Sequence, residues 1–374
     1  MHTNVPFELS QRRREAVESI LAIEKCDTRS WDRPVFKPGN GNGTAILAVE
    51  TFARHMTNEG WQLQKGLENA GYTLFGKFFP NEETDALRII EKNNPAIVVV
   101  QDKREWDASQ AGCFDKRVQF LHVPALAEHP EIFRVTVLKD LLFNRNHTMT
   151  GHNELRPHAV IHYYHEYLVR WLAPWLENTP LIRTYHSIDP EAVPEWISGS
   201  DRRICLVSGA MNKQVYPLRS AVEKEARRGQ ITNIKCLTHP GYNANGSQTD
   251  EYLKTLMRYK VAICCSSIMG FLLRKIIEAT ACGCVVITDL PRADFPEVIA
   301  DNLVYVESDT TPARVDALAA SLANSWDEEK QKEFAKKAIE FFDYKKLYLQ
   351  LAFDIDRCKR SYGTHPPENP AKES

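Results

Sequence analysis

An α/β protein of two domains, each built around a parallel sheet, is what the sequence predicts, and three observations predict it. The chain has 374 residues, more than one ordinary hydrophobic core takes up. Short apolar runs rich in β-branched residues alternate along it with segments of helical periodicity. Those runs are continuously apolar instead of alternating with polar residues, which is the pattern of strands covered on both faces, as parallel sheets require.

In the first half, TAILAV (44–49) reads as a strand, NEGWQLQKGLENAG (58–71) as a helix capped by Asn58 and stopped by Gly71, and AIVVVQ (96–101) as a second buried strand. RVQFLHV (117–123) and HAVIHYY (158–164) continue the series. A turn-rich stretch, YHSIDPEAVPEWISGSDR (185–202), separates it from a second series: RICLVS, a helix at 216–229, NIKCL, a helix at 249–258, KVAICC, a helix at 271–282, and CVVIT. A long charged helical pattern (327–358) then runs toward THPPENPAKES, a Pro-rich polar tail of the composition that stays disordered. The expected organisation is a first domain over 1–195, a second over 196–335, a helix at 336–360 packing back on the first domain, and a disordered tail at 361–374.

Composition narrows the function. With 43% hydrophobic and 26% charged residues the chain has ordinary soluble-domain usage, and a net charge of -2 argues against a broad nucleic-acid-binding surface. The run Arg12-Arg13-Arg14 reads as a solvated helix start. No apolar run approaches bilayer length and the first residues lack the apolar core of a signal peptide, so a cytoplasmic protein with no membrane span is expected. The nine cysteines are scattered, with no Cys-x-x-Cys pair, as expected of reduced thiols and not of disulfides or a zinc site. PGNGNGTAIL is glycine-rich, but its glycines precede a strand, whereas a dinucleotide fingerprint follows one. His162 and His165 in HYYHEY read as satisfied structural histidines, so no metal site is expected. Neither a nucleophile elbow nor a phosphate-binding loop with Gly-Lys-Ser/Thr is present.

One segment carries chemistry: SSIMGFLLRKIIEATACGCVVITDLP (266–291). A strand ends at Ser266-Ser267, a loop reaches Gly270, and a helix is expected to begin there. Its unpaired N–H groups, at the positive end of the helix dipole, make a seat for a diphosphate. Arg274 and Lys275 can add charge-assisted contacts, and Glu278 can accept both hydroxyls of a ribose diol. The plain alternative is an i,i+4 ion pair of Arg274 with Glu278 on an exposed helix face.

GFLLRKIIEATACGCVVITDLP resembles the C-terminal nucleotide-binding motif of the group 1 (family 4-like) glycosyltransferases with the GT-B fold, and is especially similar to their spore-maturation-type subgroup. CLVSGAMNKQVYPLR (205–219), CLTHPGY (236–242) and HSIDPEAVP (186–194) fit the same template in the same order. The resemblance covers residues 186 to 306. It implies two Rossmann-like domains facing across a cleft, a C-terminal helix crossing back to the first, and transfer of a sugar from a nucleotide-sugar donor to a hydroxyl. The donor is expected to be UDP-linked and to be a co-substrate, with no other cofactor. Matching positions give Glu278 to the donor ribose and Ser266, Ser267 and Gly270 to the diphosphate and sugar, with Gly209, His239 and Tyr242 also on the donor. Arg219 and Lys275 would balance charge on the departing diphosphate without a metal. Retaining members often carry Glu eight residues before the helix Glu, where this chain has Gly270. An inverting reaction would instead need a base in the first domain, for which Glu59 and Asp102 stand near strand ends, with Trp61 and Trp106 beside them to stack on an acceptor. A nucleotide-sugar epimerase and a noncatalytic sugar-nucleotide-binding protein share the architecture. Polysaccharide, glycoprotein, a small molecule and a modified DNA base all stay open as acceptor.

Overall fold

The computed structural model describes residues 6–23, 29, 31–48, 59–77, 79–106, 120–138, 141, 145–237 and 249–364, without the side chains of residues 23, 59, 104, 105, 249 and 364. The chain forms two compact units. One joins helix α1 (Gln11–Ile23) to residues 186–344, and the other runs up to Tyr185 and takes the chain again from Lys345.

The second of these units is a sheet of six strands with its helices. In chain order it holds β1 (Gly43–Leu47), α2 (Glu59–Asn69), β2 (Thr73–Phe75), α3 (Ala86–Asn93), β3 (Pro95–Val100), α4 (Lys103–Trp106), β4 (Phe133–Val137), α5 (Arg145–Leu155), β5 (Ala159–His162), α6 (Glu166–Leu172) and β6 (Leu181–Arg183). The strands pair in parallel in the order β2-β1-β3-β4-β5-β6. Every residue of β3, β4 and β5 is buried, as strands covered on both faces require.

Two elements differ from expectation. Of the strand expected at 117–123, residues 117–119 lie outside the described residues, and Val123 opens a short 3₁₀ helix that runs to Glu128. The strand next to β3 is β4, where Arg134 interrupts the apolar pattern. Arg134 is 1% exposed, and its guanidinium donates to the carbonyls of Leu126, His129, Ile132, Leu155 and Arg156. A charged residue fits inside this strand because backbone carbonyls take up its Nε and Nη1 donors while its Nη2 lies 3.5 Å from His158 Nε2.

The other unit adds β7 (Arg203–Ser208), α7 (Pro217–Arg227), β8 (Ile234–Leu237), α8 (Thr249–Leu256), β9 (Tyr259–Ile263), α9 (Arg274–Ala281), β10 (Val285–Thr288), β11 (Leu303–Tyr305), α10 (Pro312–Asn324) and α11 (Glu328–Phe342) to α1. Its five strands are parallel in the order β11-β10-β9-β7-β8. Helix α11 packs on α9, and its end is pinned by Ile188 N donating to Phe342 O at 2.8 Å and Tyr344 N donating to Ile188 O at 3.0 Å. The return to the other unit therefore starts at Lys345 and not at residue 336. It is made by α12 (Tyr344–Thr364), whose Tyr362 hydroxyl donates to Pro34 O at 3.0 Å and whose ring lies edge-on to Phe133 and His158.

Helix α1 was expected in the first domain, but it belongs with β7–β11. Arg12 and Arg14 are solvated as read from the sequence, whereas Arg13 between them is buried. No described helix is long and apolar enough to cross a membrane.

Three buried histidines give the β1–β6 unit an acid sensitivity. Burial pushes His152 from 6.5 down to about 4 against the opposing charge of Asp102. Burial pushes His158 and His162 to about 3, with Arg134 and Arg183 respectively acting in the same direction. The unfolded chain takes up these protons just below 6.5 and the folded chain does not. Stability is therefore complete above 6.5 and is lost progressively as pH falls toward the depressed values. Urea midpoints measured from pH 8 down to pH 4 should fall on acidification, with this unit's signals unfolding first. A midpoint flat across that range would contradict the burial of neutral imidazoles.

Candidate functional site

In a parallel sheet, ligands bind beyond the carboxyl ends of the strands where strand order reverses. In the β7–β11 unit that point lies between β7 and β9. Strand β7 ends at Ser208, and Gly209 follows with φ +109°, a conformation glycine adopts at little cost. A Cβ on Gly209 would stand 2.7 Å from Arg219 Nη1 and 3.3 Å from Lys275 Cε, so the chain here runs directly against both cations.

Arg219 lies in the first turn of α7 and is 2% exposed. Its Nη1 donates to Ala210 O at 3.0 Å and its Nη2 to Cys265 O at 3.4 Å, and its guanidinium lies 4.1 Å from the Tyr216 ring centroid. Its Nε has no hydrogen-bond partner, and no carboxylate among the described residues forms an ion pair with it. Lys275, in the first turn of α9, is half-buried and rests its ammonium 3.8 Å from the centroid of the Tyr252 ring. Tyr252 is held in turn by a 2.9 Å hydrogen bond with the Ser208 hydroxyl. Burial pushes the Lys275 ammonium below its ordinary 10.5; Glu278 opposes that shift and Arg219 adds to it. Two cations thus share one low-dielectric corner with no direct ion pair to a carboxylate among the described residues, an arrangement that attracts a bound anion.

Glu278 is one turn beyond Lys275 and 3% exposed. Its Oε1 accepts from Arg274 Nε at 2.8 Å. The i,i+4 ion pair anticipated on an exposed face does form, but it is buried, with the Arg274 side chain only 6% exposed. Arg274 Nε is thereby bonded to Glu278 Oε1.

The loop into α9 differs from expectation in an instructive way. The helix starts at Arg274, after Leu273 as N-cap, and not at Gly270. Residues 266–271 fold back on themselves: Phe271 N donates to Ser266 O at 2.9 Å, Gly270 N to Ser267 O at 3.2 Å, and Ile268 N to Val215 O at 2.8 Å. Ser266 N donates to Asp289 Oδ1 at 2.6 Å, and the Ser266 hydroxyl donates to the same oxygen at 3.0 Å. Ser267 adopts φ +66°, which is uncommon for a residue with a side chain. A Cβ on Gly270 would meet Leu9 Cδ2 at 2.9 Å and Pro291 Cγ at 3.0 Å. The amides of Ser266, Ile268, Gly270 and Phe271 are therefore occupied by protein oxygens, and Ser266 and Gly270 are closely packed. His239 and Tyr242 lie outside the described residues.

In the other unit, strand order reverses between β1 and β3. Asp102 sits just past the carboxyl end of β3, 2% exposed, with Thr148 Oγ1 donating to its Oδ2 at 3.0 Å. Next to it, Lys103 pairs with Glu154 and lies 5.1 Å from the Trp106 ring centroid. Trp106 is 4% exposed and packs in the core with Leu47, Phe75, Val98 and Val100. The stacking role expected of Trp106 gives way to core packing, because no face of the ring is open to a sugar. Trp61 is half-buried on α2, and Glu59 opens that helix with its side chain outside the described residues. His165 caps α6 through Tyr167 N at 3.2 Å, and His162 ends β5 in the interior.

Solved structures are similar over most of the chain. Sucrose-phosphate synthase from Thermosynechococcus elongatus matches at a TM-score of 0.51 and 10% identity, over 86% of this chain and all of that one, 100%. HepE from Anabaena, in complex with UDP and glucose, matches at 0.51 and 10% identity over 84% and 100%. An α-glucosyltransferase in complex with UDP-glucose and DNA containing an abasic site matches at 0.50 and 11% identity over 83% and 98%. The fold is that of the GT-B glycosyltransferases. No protein-family model matches the sequence, and no curated protein is detectably similar to it. At such identities the likeness is one of fold.

The paired cations make a prediction that does not depend on any reaction. The protein should bind inorganic pyrophosphate, and affinity should fall as pH rises through the depressed Lys275 value, because the anion binds the protonated ammonium. Binding in that range should be accompanied by proton uptake. Calorimetry in buffers of different ionisation heat reads both effects, and Lys275→Arg should hold affinity to higher pH. Pyrophosphate affinity unchanged in Lys275→Ala would remove this lysine from the site.

Proposed function

We propose that the protein transfers a sugar from a nucleoside-diphosphate sugar to a hydroxyl acceptor. The observation that carries this reading is Arg219 and Lys275 lying together, buried or half-buried and with no ion pair to a carboxylate among the described residues, beyond the carboxyl ends of β7 and β9. Glu278 on the same helix as Lys275 supplies a carboxylate one turn away for the ribose diol. That spacing suits a ligand with a doubly charged diphosphate at one end and a vicinal diol next to it.

The chemistry follows from where charge moves. The acceptor oxygen forms a bond to the anomeric carbon, the bond from that carbon to the diphosphate oxygen breaks, and the acceptor proton leaves. The electron pair of the broken bond stays on the diphosphate. Arg219 and Lys275 are charged before the bond breaks and are held by Ala210 O, Cys265 O and the Tyr216 and Tyr252 rings. Such preorganised cations stabilise the developing charge with little reorganisation, an effect of about 3–4 kcal/mol per well-placed donor. They can do this without a divalent ion. UDP is the nucleotide we assign to the donor, the one found with HepE and with the α-glucosyltransferase of the same fold. On the acceptor side, Asp102 is the carboxylate at a strand end, and its bond from Thr148 fixes its direction.

The test separates the two ends of the donor. Glu278→Ala would leave Arg274 buried without its partner, at a cost of about 3–5 kcal/mol of stability. Glu278→Gln keeps the volume and an acceptor for Arg274. It should weaken UDP by roughly 1.5–3 kcal/mol, about ten- to a hundredfold, and change pyrophosphate binding far less at a pH where Lys275 stays protonated. Arg219→Lys should weaken both ligands and lower turnover more than donor affinity. Equal effects of Glu278→Gln on UDP and pyrophosphate would detach Glu278 from the ribose.

A further inference from the structure

Helix α1 meets the rest of its unit along one narrow stripe. From Pro6 to Ala22, the buried positions are Leu9, Arg13 and Val17, spaced by four, and the charged residues around them face solvent. A helix docked by so few residues is held by specific bonds more than by area, and here the bonds come from an arginine. Arg13 is 5% exposed. Its Nε donates to Ile268 O at 3.1 Å, its Nη1 to Asp289 O at 2.7 Å, and its Nη2 to the Ser266 hydroxyl at 2.9 Å and to Ser267 O. All of these acceptors belong to the loop that leads from β9 to α9 or to the residue after β10 that ties that loop down.

This loop joins both walls of the cation pair. Through Ile268 N it is bonded to Val215, two residues before α7 and Arg219. Through Phe271 N it closes on Ser266 immediately ahead of α9 and Lys275. It also carries Ser267 at φ +66° and Gly270 at φ +72°, and a strained backbone keeps its shape only where its surroundings over-determine it. A guanidinium fork with fixed donors is suited to that task, because one rigid plane sets the directions of several carbonyls at once.

We infer that Arg13 is a positioning residue of the donor site, a clamp from the N-terminal helix that fixes the 266–271 loop and with it the separation of Arg219 and Lys275. The inference rests on the donor reading above for its effect on transfer, while its effect on the loop stands apart from that reading. Arg13 touches no donor. It acts through Ser266, Ser267, Ile268 and Asp289. The N-terminal helix thereby becomes part of the active machinery of the β7–β11 unit even though the chain leaves that unit directly afterward.

The experiment uses the full chain with Arg13→Ala and Arg13→Lys. The lysine variant keeps the buried stem and charge but reaches fewer acceptors, so it reports on the fork even where the alanine variant fails to fold. Amide hydrogen exchange without ligand should be faster in the peptide covering 264–273 in either folded variant, with β7, β8 and β10 unchanged. UDP, titrated calorimetrically, should bind roughly ten- to a hundredfold more weakly, and kcat should fall more than the acceptor KM rises, as expected when charged groups are misplaced by a fraction of an ångström. Arg13→Lys should recover part of the loss. Faster exchange with unchanged UDP affinity would leave Arg13 a structural residue and overturn the positioning role. Unchanged exchange and unchanged affinity would overturn the clamp altogether. If the parent protein itself binds no UDP, the donor reading fails, and the exchange measurement still decides whether Arg13 holds the loop.

Discussion

The site depends on one electrostatic constraint, the burial of Arg219 with no ion pair to a carboxylate among the described residues. Removing a guanidinium from water costs several kcal/mol unless its donors are satisfied and its charge is compensated. Two carbonyls and a tyrosine ring meet Arg219, its Nε stays without a partner, and Lys275 brings a like charge to the same corner. A fold tolerates this where a ligand of opposite charge completes it. Gly209 is small because the two cations crowd it, Tyr252 is bonded to Ser208 under the Lys275 ammonium, and the loop from β9 is cross-braced by Asp289 and Arg13.

Arg134 in the other unit shows what a buried arginine looks like when it is purely structural. Its donors meet five carbonyls, and its neighbours are the neutral His158 and the aromatic rings of Phe133 and Tyr362. Each nitrogen of its guanidinium has a partner, Nη2 only the His158 ring at 3.5 Å, whereas Arg219 Nε has none. Arg134 and Arg219 are both nearly inaccessible, so burial alone does not distinguish them. What separates them is whether the protein itself exhausts their hydrogen bonds.

Much of this was legible along the chain, for reasons that particular residues make clear. The apolar runs at 96–101, 203–208, 260–265 and 284–288 are continuous because their strands are covered on both faces, and each lies on a strand of a parallel sheet. Lys275 and Glu278 stood out because charges near the start of an otherwise apolar helix need a reason, and Arg219 through the resemblance of residues 205–219. Strand β4 was hidden because Arg134 breaks its pattern, and the carbonyls that make the arginine acceptable come from positions up to 22 residues away. Trp106 was ambiguous because an aromatic ring can serve a core or a sugar equally well, and only its neighbours in space decide.

The sequence by itself determined the class of fold, the rhythm of strands and helices, and which helix starts carry charge, because these follow from local periodicity and residue chemistry. Tertiary structure decided which charges are compensated. Arg274 and Glu278 are neighbours on one helix, yet whether their pair lies in water or in the interior depends on what covers α9. Arg12, Arg13 and Arg14 are chemically identical in the chain, yet one of them is buried against carbonyls more than 250 residues distant while the other two stay in solvent. Solvation and pairing are properties of three-dimensional neighbours. A linear pattern names the charged groups, and the packing around each one settles whether it braces the fold or waits for an anion.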